Sequence, residues 1–188
     1  MTDLLLLNGP PQCGKDTLGD FIEEHIDASI SLKFAQPIRD HIVNLLCLDD
    51  EREIENLKNT PMEIFNGRTV REEMIYFSEN YMKPRFGDGI FGDILVRTID
   101  MWYSDLHTDL IIVTDSGFDG EAITLIKSGL FDKIYLCKLY REDCSFDTDS
   151  RNYLTLTEDD GIFQVFDVSN NGAVHEFANK IMETLGYA

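Results

Sequence analysis

At 188 residues the chain can bury one core and is expected to form a single domain over residues 1–188. Sixteen Lys and Arg stand against 35 Asp and Glu, a net charge of −19; this excludes stable nucleic-acid binding, which draws on many cationic contacts to phosphates, yet a few cations can still hold a free nucleotide. No apolar run approaches the roughly 18 residues of a membrane span, and no basic stretch with a signal-like core opens the chain, so a cytoplasmic location without a membrane partner is expected.

Residues 4–8, Leu-Leu-Leu-Leu-Asn, form a run closed by Gly9-Pro10-Pro11, the pattern of a strand buried on both faces of a parallel sheet. Leu18, Phe21, Ile22 and His25 or Ile26 recur at helical spacing, which predicts an amphipathic helix over residues 16–26. A strand over 29–34 and a helix from Gln36 follow, with Pro37 suited to a first turn and Ile38, Ile42, Val43 and Leu46 as its apolar stripe. Residues 49–105 are charged and mostly helical in pattern, with long helices expected over 69–82 and 91–106 and a break at 84–89. Strands are expected over 110–115, 133–139 and 162–168, and helices over 120–128 and 173–185. The polar stretch 141–160 has few apolar anchors and reads as a mobile loop or lid. Alternating strands and helices predict a three-layer α/β fold with a parallel sheet of about five strands. Cys13, Cys47, Cys137 and Cys144 form no C-x-x-C pair and are read as reduced thiols.

Gly9-Pro-Pro-Gln12-Cys13-Gly14-Lys15 fits G-x-x-x-x-G-K, placed after a buried strand and before a helix, where a phosphate-binding loop needs it. Its glycines let backbone N–H groups turn toward a phosphate, the helix N-terminus favours negative charge, and Lys15 can reach the β and γ oxygens. Gly9, Gln12, Cys13, Gly14, Lys15, Asp16 and Thr17 are therefore the expected nucleotide-binding residues. Asp16 stands where the usual motif has a magnesium-binding Ser or Thr, and Thr17 comes one residue later.

The Gly14-Lys15-Asp16-Thr17 ending resembles nucleoside monophosphate kinases, and bacteriophage deoxynucleoside monophosphate kinases in particular. Phe34-Ala-Gln-Pro-Ile-Arg39 is similar to the segment after that family's second strand, and Thr69-Val-Arg71-Glu72 with Phe86-Gly-Asp-Gly-Ile-Phe91 to its helical substrate region. Thr114-Asp115-Ser116-Gly117-Phe118 resembles its strand-end acid, and Asp149-Ser150-Arg151 its lid. The resemblance implies a P-loop NTPase fold with a helical substrate-binding region over 36–106 and a lid over 141–160. It also implies transfer of the ATP γ-phosphoryl group to a deoxynucleotide, and a host cytoplasm as the location.

Phosphoryl transfer needs two sets of phosphates held together and offset by cations. Arg39 and Arg71, with Phe34, are the expected substrate-binding residues; Lys15, Arg151, Arg141 and Asp16 are the expected catalytic ones, and Arg85 and Arg97 are reserves. Each arginine could instead form a surface ion pair. Asp16 could face the acceptor phosphate or serve only as a helix N-terminal acid. Thr17 and Asp115 are the expected partners of Mg²⁺ carried with ATP, though Asp115 could merely cap a turn. Phe34, Tyr76, Phe77 and Tyr81 could stack on a base or pack at helical spacing.

Gly87-x-Gly89-x-x-Gly92 lacks a buried strand before it and is set aside as a dinucleotide site, and the acids from Asp147 to Glu158 place a cation, Arg151, within a would-be calcium loop. The four histidines lack metal-ligand spacing. Two rival readings stay open: a P-loop kinase for another acceptor such as dephospho-coenzyme A, and a nucleotide-binding regulatory protein without turnover. The oligomeric state, monomer or homodimer, is left open.

Overall fold

The computed structural model describes residues 2–103, 107–147 and 149–187. Five parallel strands, β1 (Asp3–Asn8), β2 (Ser29–Leu32), β3 (Leu110–Ser116), β4 (Ile134–Tyr140) and β5 (Gln164–Ser169), form one sheet in the order β2-β3-β1-β4-β5. Central β1 explains its own run of leucines. Leu5 and Leu7 face one side, with Leu18 and Ile22 of α1 (Lys15–His25) and Phe177, Ile181 and Leu185 of α8 (Val174–Leu185). Leu4 and Leu6 face the other, with Ile38 of α2 (Gln36–Leu46), Phe91 and Leu95 of α6 (Ile90–Trp102) and Leu125 of α7 (Asp119–Ser128). All four leucines are fully buried, each contributing about 1.5–3 kcal/mol relative to exposure. The helix expected to run to residue 106 extends to Trp102, and its last residues, 104–106, lie outside the described residues.

Between β2 and β3, α2 is followed by α3 (Glu53–Leu57), a 3₁₀ turn (Glu63–Phe65), α4 (Val70–Tyr76), a π-helical segment (Phe77–Met82) and α5 (Lys83–Phe86). Ile42, Ile54, Phe65 and Val70 give these helices a small core of their own. Thr69 and Glu72 close a capping box at the start of α4. The single helix expected over 69–82 is thus a short α-helix passing into a π segment, and the chain breaks at Gly87, inside the expected 84–89, with Pro84 itself within α5. Proline has no N–H to donate, and here it follows a π segment in which the α ladder is already interrupted.

Gly89 and Gly92 have a packing reason. A Cβ on Gly92 would lie 2.5 Å from the Glu121 carbonyl oxygen, and one on Gly89 2.7 Å from Thr124 Oγ1, so α6 and α7 touch backbone to backbone. This accounts for the glycine pattern without a dinucleotide.

The stretch 141–160 is better anchored than its composition suggests. Leu154 and Leu156 are buried in the α6–α7 side of the core. Asn152 N–H donates to Gly117 O at 3.1 Å, and Thr155 donates to both carboxylate oxygens of Asp119. Two leucines at period two suffice to dock residues 152–156 on the body, leaving the expected loop character to residues 141–147.

A buried ion cluster ties α5 to α7. Lys83 Nζ lies 2.9 Å from Glu79, 3.6 Å from Glu121 and 3.0 Å from the centre of the Phe118 ring. Burial pushes the Glu121 carboxyl up to about 8; the Lys83 charge opposes this, while Asp115 and Glu79 add to it. Glu121 therefore carries a proton at neutral pH, and Glu79 is the main counter-charge of Lys83. An acid whose folded pKa lies above its ordinary value of 4.5 makes the folded state bind the extra proton, so this group weakens the fold as pH rises from 4.5 to about 8. Urea unfolding across that window is expected to show a decline in wild type that is smaller in Glu121→Gln. Parallel profiles for the two proteins would show that Glu121 titrates normally.

Candidate active site

The loop from Gly9 to Gly14 leaves the carboxyl end of central β1 and opens α1, where ligands bind in open parallel sheets. Gly14 occupies the helix N-cap with φ of 92°, and no side chain caps the helix, so first-turn amides are left for an anion. A Cβ on Gly14 would also lie 2.6 Å from Asn170 Nδ2. Asn170, buried at the end of β5, donates that amide to Cys13 O and so braces the loop from behind. Lys15 is buried, its ammonium donating to Gly9 O at 2.6 Å and Pro10 O at 2.7 Å, with Cys13 Sγ at 3.6 Å. Burial pulls the Lys15 pKa below its ordinary value, opposed by Cys13 and helped by the nearby charge of Arg151. Burial likewise raises the Cys13 thiol, which favours its neutral form.

Asp16 and Asp115 are drawn into the local framework. Asp16 accepts the Thr114 hydroxyl at 2.8 Å and pairs with Lys33 at 3.0 Å; partial desolvation raises its pKa, but Lys33 and Thr114 outweigh this and hold it below the ordinary value. The carboxylate therefore fastens α1 to β3 and to the end of β2, while its side chain stays 66% exposed. Asp115 accepts the backbone N–H groups of Phe34 and Ala35, each at 2.9 Å, fixing the chain between β2 and α2.

The candidate arginines divide into two groups. Arg151 and Arg71 meet on one carboxylate, that of Asp149. Burial would lower the Arg151 pKa, but Asp149, Asp115 and Asp16 raise it. The Arg151 stem lies over Gly117 at the carboxyl end of β3, and the next residue, Asn152, is bonded to Asn8, which directly precedes the Gly9 loop. Arg141 is exposed and donates to Gln12 O at 3.3 Å, across the loop from Lys15. Arg39 lies elsewhere: it is buried, and its guanidinium is engaged by Glu51 and, at 3.0 Å, by Glu55 of α3. The expected duty of Arg39 toward an acceptor phosphate thus has no support in its contacts. Phe34 is 3% exposed and packs in the core beside Ile38, so its ring presents no face for a base; its backbone N–H, not its ring, belongs to the site. Phe77 stacks between His41 and Tyr81 at 4.8 and 5.5 Å, an arrangement of packing as much as of binding.

A cleft of about 400 Å³ opens between the loop and the β5–α8 connection, lined by Gly14, Thr17, Arg141, Asn171, Gly172 and Phe177. Its volume suits a small organic ligand. Among the described residues no group of three or more His, Cys, Asp or Glu side chains could hold a metal ion by itself.

Asn8 was not anticipated as a site residue. Fully buried at the end of β1, it donates Nδ2 to Ser116 O (2.9 Å) and Asn152 O (3.1 Å) and accepts Leu154 N–H (2.8 Å). Its one legible signal is a polar residue closing an apolar strand at the carboxyl edge; Asn170 carries the same signal. Asn8→Leu keeps the volume but orphans three backbone groups. It is expected to lower unfolding free energy by about 3 kcal/mol in chemical denaturation, and a loss below about 1 kcal/mol would show that these bonds contribute little.

No protein-family model matches the chain, and no curated protein matches it. Among solved structures it is similar to the tunicamycin resistance protein of Deinococcus radiodurans, at 11% identity over 100% of this chain and 98% of that one, with a TM-score of 0.51. It is also similar to a sugar kinase from Janibacter sp. HTCC2649, at 9% identity over 100% and 96% of the two chains, with a TM-score of 0.52. At such identities the likeness is one of fold: the chain has the three-layer α/β P-loop fold and shares it with a kinase.

Proposed function

We propose that the protein is a phosphotransferase that moves the γ-phosphoryl group of ATP to a nucleoside monophosphate, a deoxynucleotide in keeping with its motifs. The observation that carries this reading is the placement of Lys15 at an uncapped helix N-terminus on the carboxyl edge of the sheet, where Arg151 lies over Gly117 at the end of β3 and shares Asp149 with Arg71 of the helical insertion. In this reading the loop amides hold the β-phosphate, and the Lys15 ammonium exchanges the carbonyls of Gly9 and Pro10 for β and γ oxygens. The donor nucleoside lies in the cleft bounded by Arg141 and Asn171. The bond from the γ-phosphorus to the β,γ-bridging oxygen breaks as one to an acceptor phosphate oxygen forms. That acceptor arrives ionised, so no side chain need remove a proton, and the protein's part is positioning and charge stabilisation. Arg151 offsets charge on the group in flight, and Arg71, carried on the insertion, meets the acceptor. Residues 141–147, with few anchors of their own, would close over the donor as the lid.

Magnesium would come with ATP, held by its phosphates, the Thr17 hydroxyl and, through water, Asp115, and would neutralise charge between the donor phosphates. The residues fit this role, since Thr17 lines the cleft beside Gly14 and a phosphate-borne Mg²⁺ keeps several waters. Asp115 already accepts two amides, which suits an outer position better than direct ligation.

One observation favours a second acceptor class: a sugar kinase has the same fold, and one core serves many acceptors. Coupled ATP turnover with Mg²⁺ against a panel of ribo- and deoxynucleoside monophosphates, sugars and dephospho-coenzyme A separates the two. Turnover with a deoxynucleotide is expected, reduced about 100-fold or more in Lys15→Ala. Activity confined to a non-nucleotide acceptor would overturn the proposal in favour of the second reading.

A further inference from the structure

Asp149 has no place in the reading so far, yet it is the most heavily bonded carboxylate near the phosphate loop. Its side chain is 6% exposed. Oδ1 accepts the backbone N–H of Arg151 at 2.9 Å and its Nε at 2.8 Å, while Oδ2 accepts Arg151 Nη2 at 2.8 Å and Arg71 Nη2 at 3.3 Å. The Nε and Nη2 pair forms a two-bond fork, the geometry that orients a guanidinium most firmly. Arg71 comes from α4, far away in the chain, so a single carboxylate joins the helical insertion to the lid segment. The stem of Arg151 lies directly over Gly117, where any Cβ would meet it at 2.5 Å, so the side chain is confined from below as well.

We propose that Asp149 is the positioning residue of the site: it sets Arg151 and Arg71 as one anion receptor aimed at the phosphoryl group in transfer. Among the described residues the other arginine–carboxylate pairs, Arg39 with Glu51 and Glu55, Arg52 with Asp50 and Arg68 with Glu73, have both members within residues 39–73. Arg151 instead sits over Gly117 at the carboxyl edge of the sheet, next to Asn152, whose carbonyl is held by Asn8 at the start of the Gly9–Gly14 loop. The three groups carry a net charge of +1, so the cluster still attracts phosphate inside an acidic protein. Burial favours the neutral Asp149 carboxyl, but the Arg151 and Arg71 charges bring its pKa down to about 2, so the link stays ionised wherever the protein works. The inference rests on the nucleotide reading given above, though not on the identity of the acceptor.

Calorimetric binding of Mg-ATP and Mg-ADP to wild type, Asp149→Asn and Asp149→Glu tests it, together with turnover on whichever acceptor the panel identifies. Asparagine can still accept the Arg151 backbone N–H but loses the ionic hold on both guanidiniums. The expectation for Asp149→Asn is ADP affinity unchanged within error and a preference for ATP over ADP reduced about 10-fold. Its kcat should fall about 100-fold, as a mis-set catalytic charge implies. Asp149→Glu keeps the charge and the fold while shifting the fork, and should lie between the two; it serves as the test should the asparagine variant fail to bind ADP. An unchanged ATP/ADP ratio and kcat would make the cluster a structural clamp only and overturn the proposal. Tighter ATP binding or faster turnover would overturn it too, by showing that the carboxylate competes with phosphate. If wild type binds no ATP, the nucleotide reading fails and takes this inference with it. ATP binding with a reduced ratio in the variant, but without turnover on any nucleoside monophosphate, would sink only the acceptor assignment.

Discussion

The Asn8 amide is the constraint on which the rest of the site depends. It sits where β1 ends and the phosphate loop begins, and its hydrogen bonds reach the end of β3 and the stretch from Asn152 to Leu154. A fully buried amide with no solvent to fall back on holds these three segments to one geometry. β3 carries Asp115, and residues 152–154 follow directly on Arg151. The positions of both charges relative to Lys15 therefore trace back to one side chain that touches none of them.

Around that point the protein resolves a conflict of charge. A chain of net −19 keeps three cationic side chains, Lys15, Arg71 and Arg151, near the carboxyl edge of its sheet. It does so by giving each nearby acid a structural partner: Asp16 takes Thr114 and Lys33, Asp115 takes two backbone amides, and Asp149 takes two arginines. Acids so engaged stabilise positive groups without occupying the loop itself. Burial lowers the Lys15 pKa, and among the described residues its ammonium has carbonyl and thiol partners but no carboxylate.

The helical insertion is a separate piece of packing, with its own small core and the Lys83 cluster tying it to α7. Its close approach to the body relies on Gly89 and Gly92, where side chains would hold α6 and α7 apart. The insertion brings Arg71 to Asp149 while exposed aromatics, Tyr76, Tyr81 and Phe86 among them, remain at the surface.

The sequence by itself determined the alternation of strands and helices, the burial of the leucine strand on both faces and the loop around Lys15. These are local signals: a run of four leucines, helical spacing, and glycines at fixed offsets each act through neighbours a few residues away. The helix from 69 to 82 was legible as a helix but not as one that turns π from Phe77, since helical spacing alone does not distinguish the two. Only the tertiary structure separated Arg71 and Arg151 from Arg39, since all three are arginines in plausible segments and their partners lie on other elements. It also turned Phe34 inward and gave Asn8, Asn170 and Asp149 their roles. Those roles rest on hydrogen bonds that span from two to 157 residues of chain, and which donor meets which acceptor across such distances is decided by the packing of the sheet and its helices.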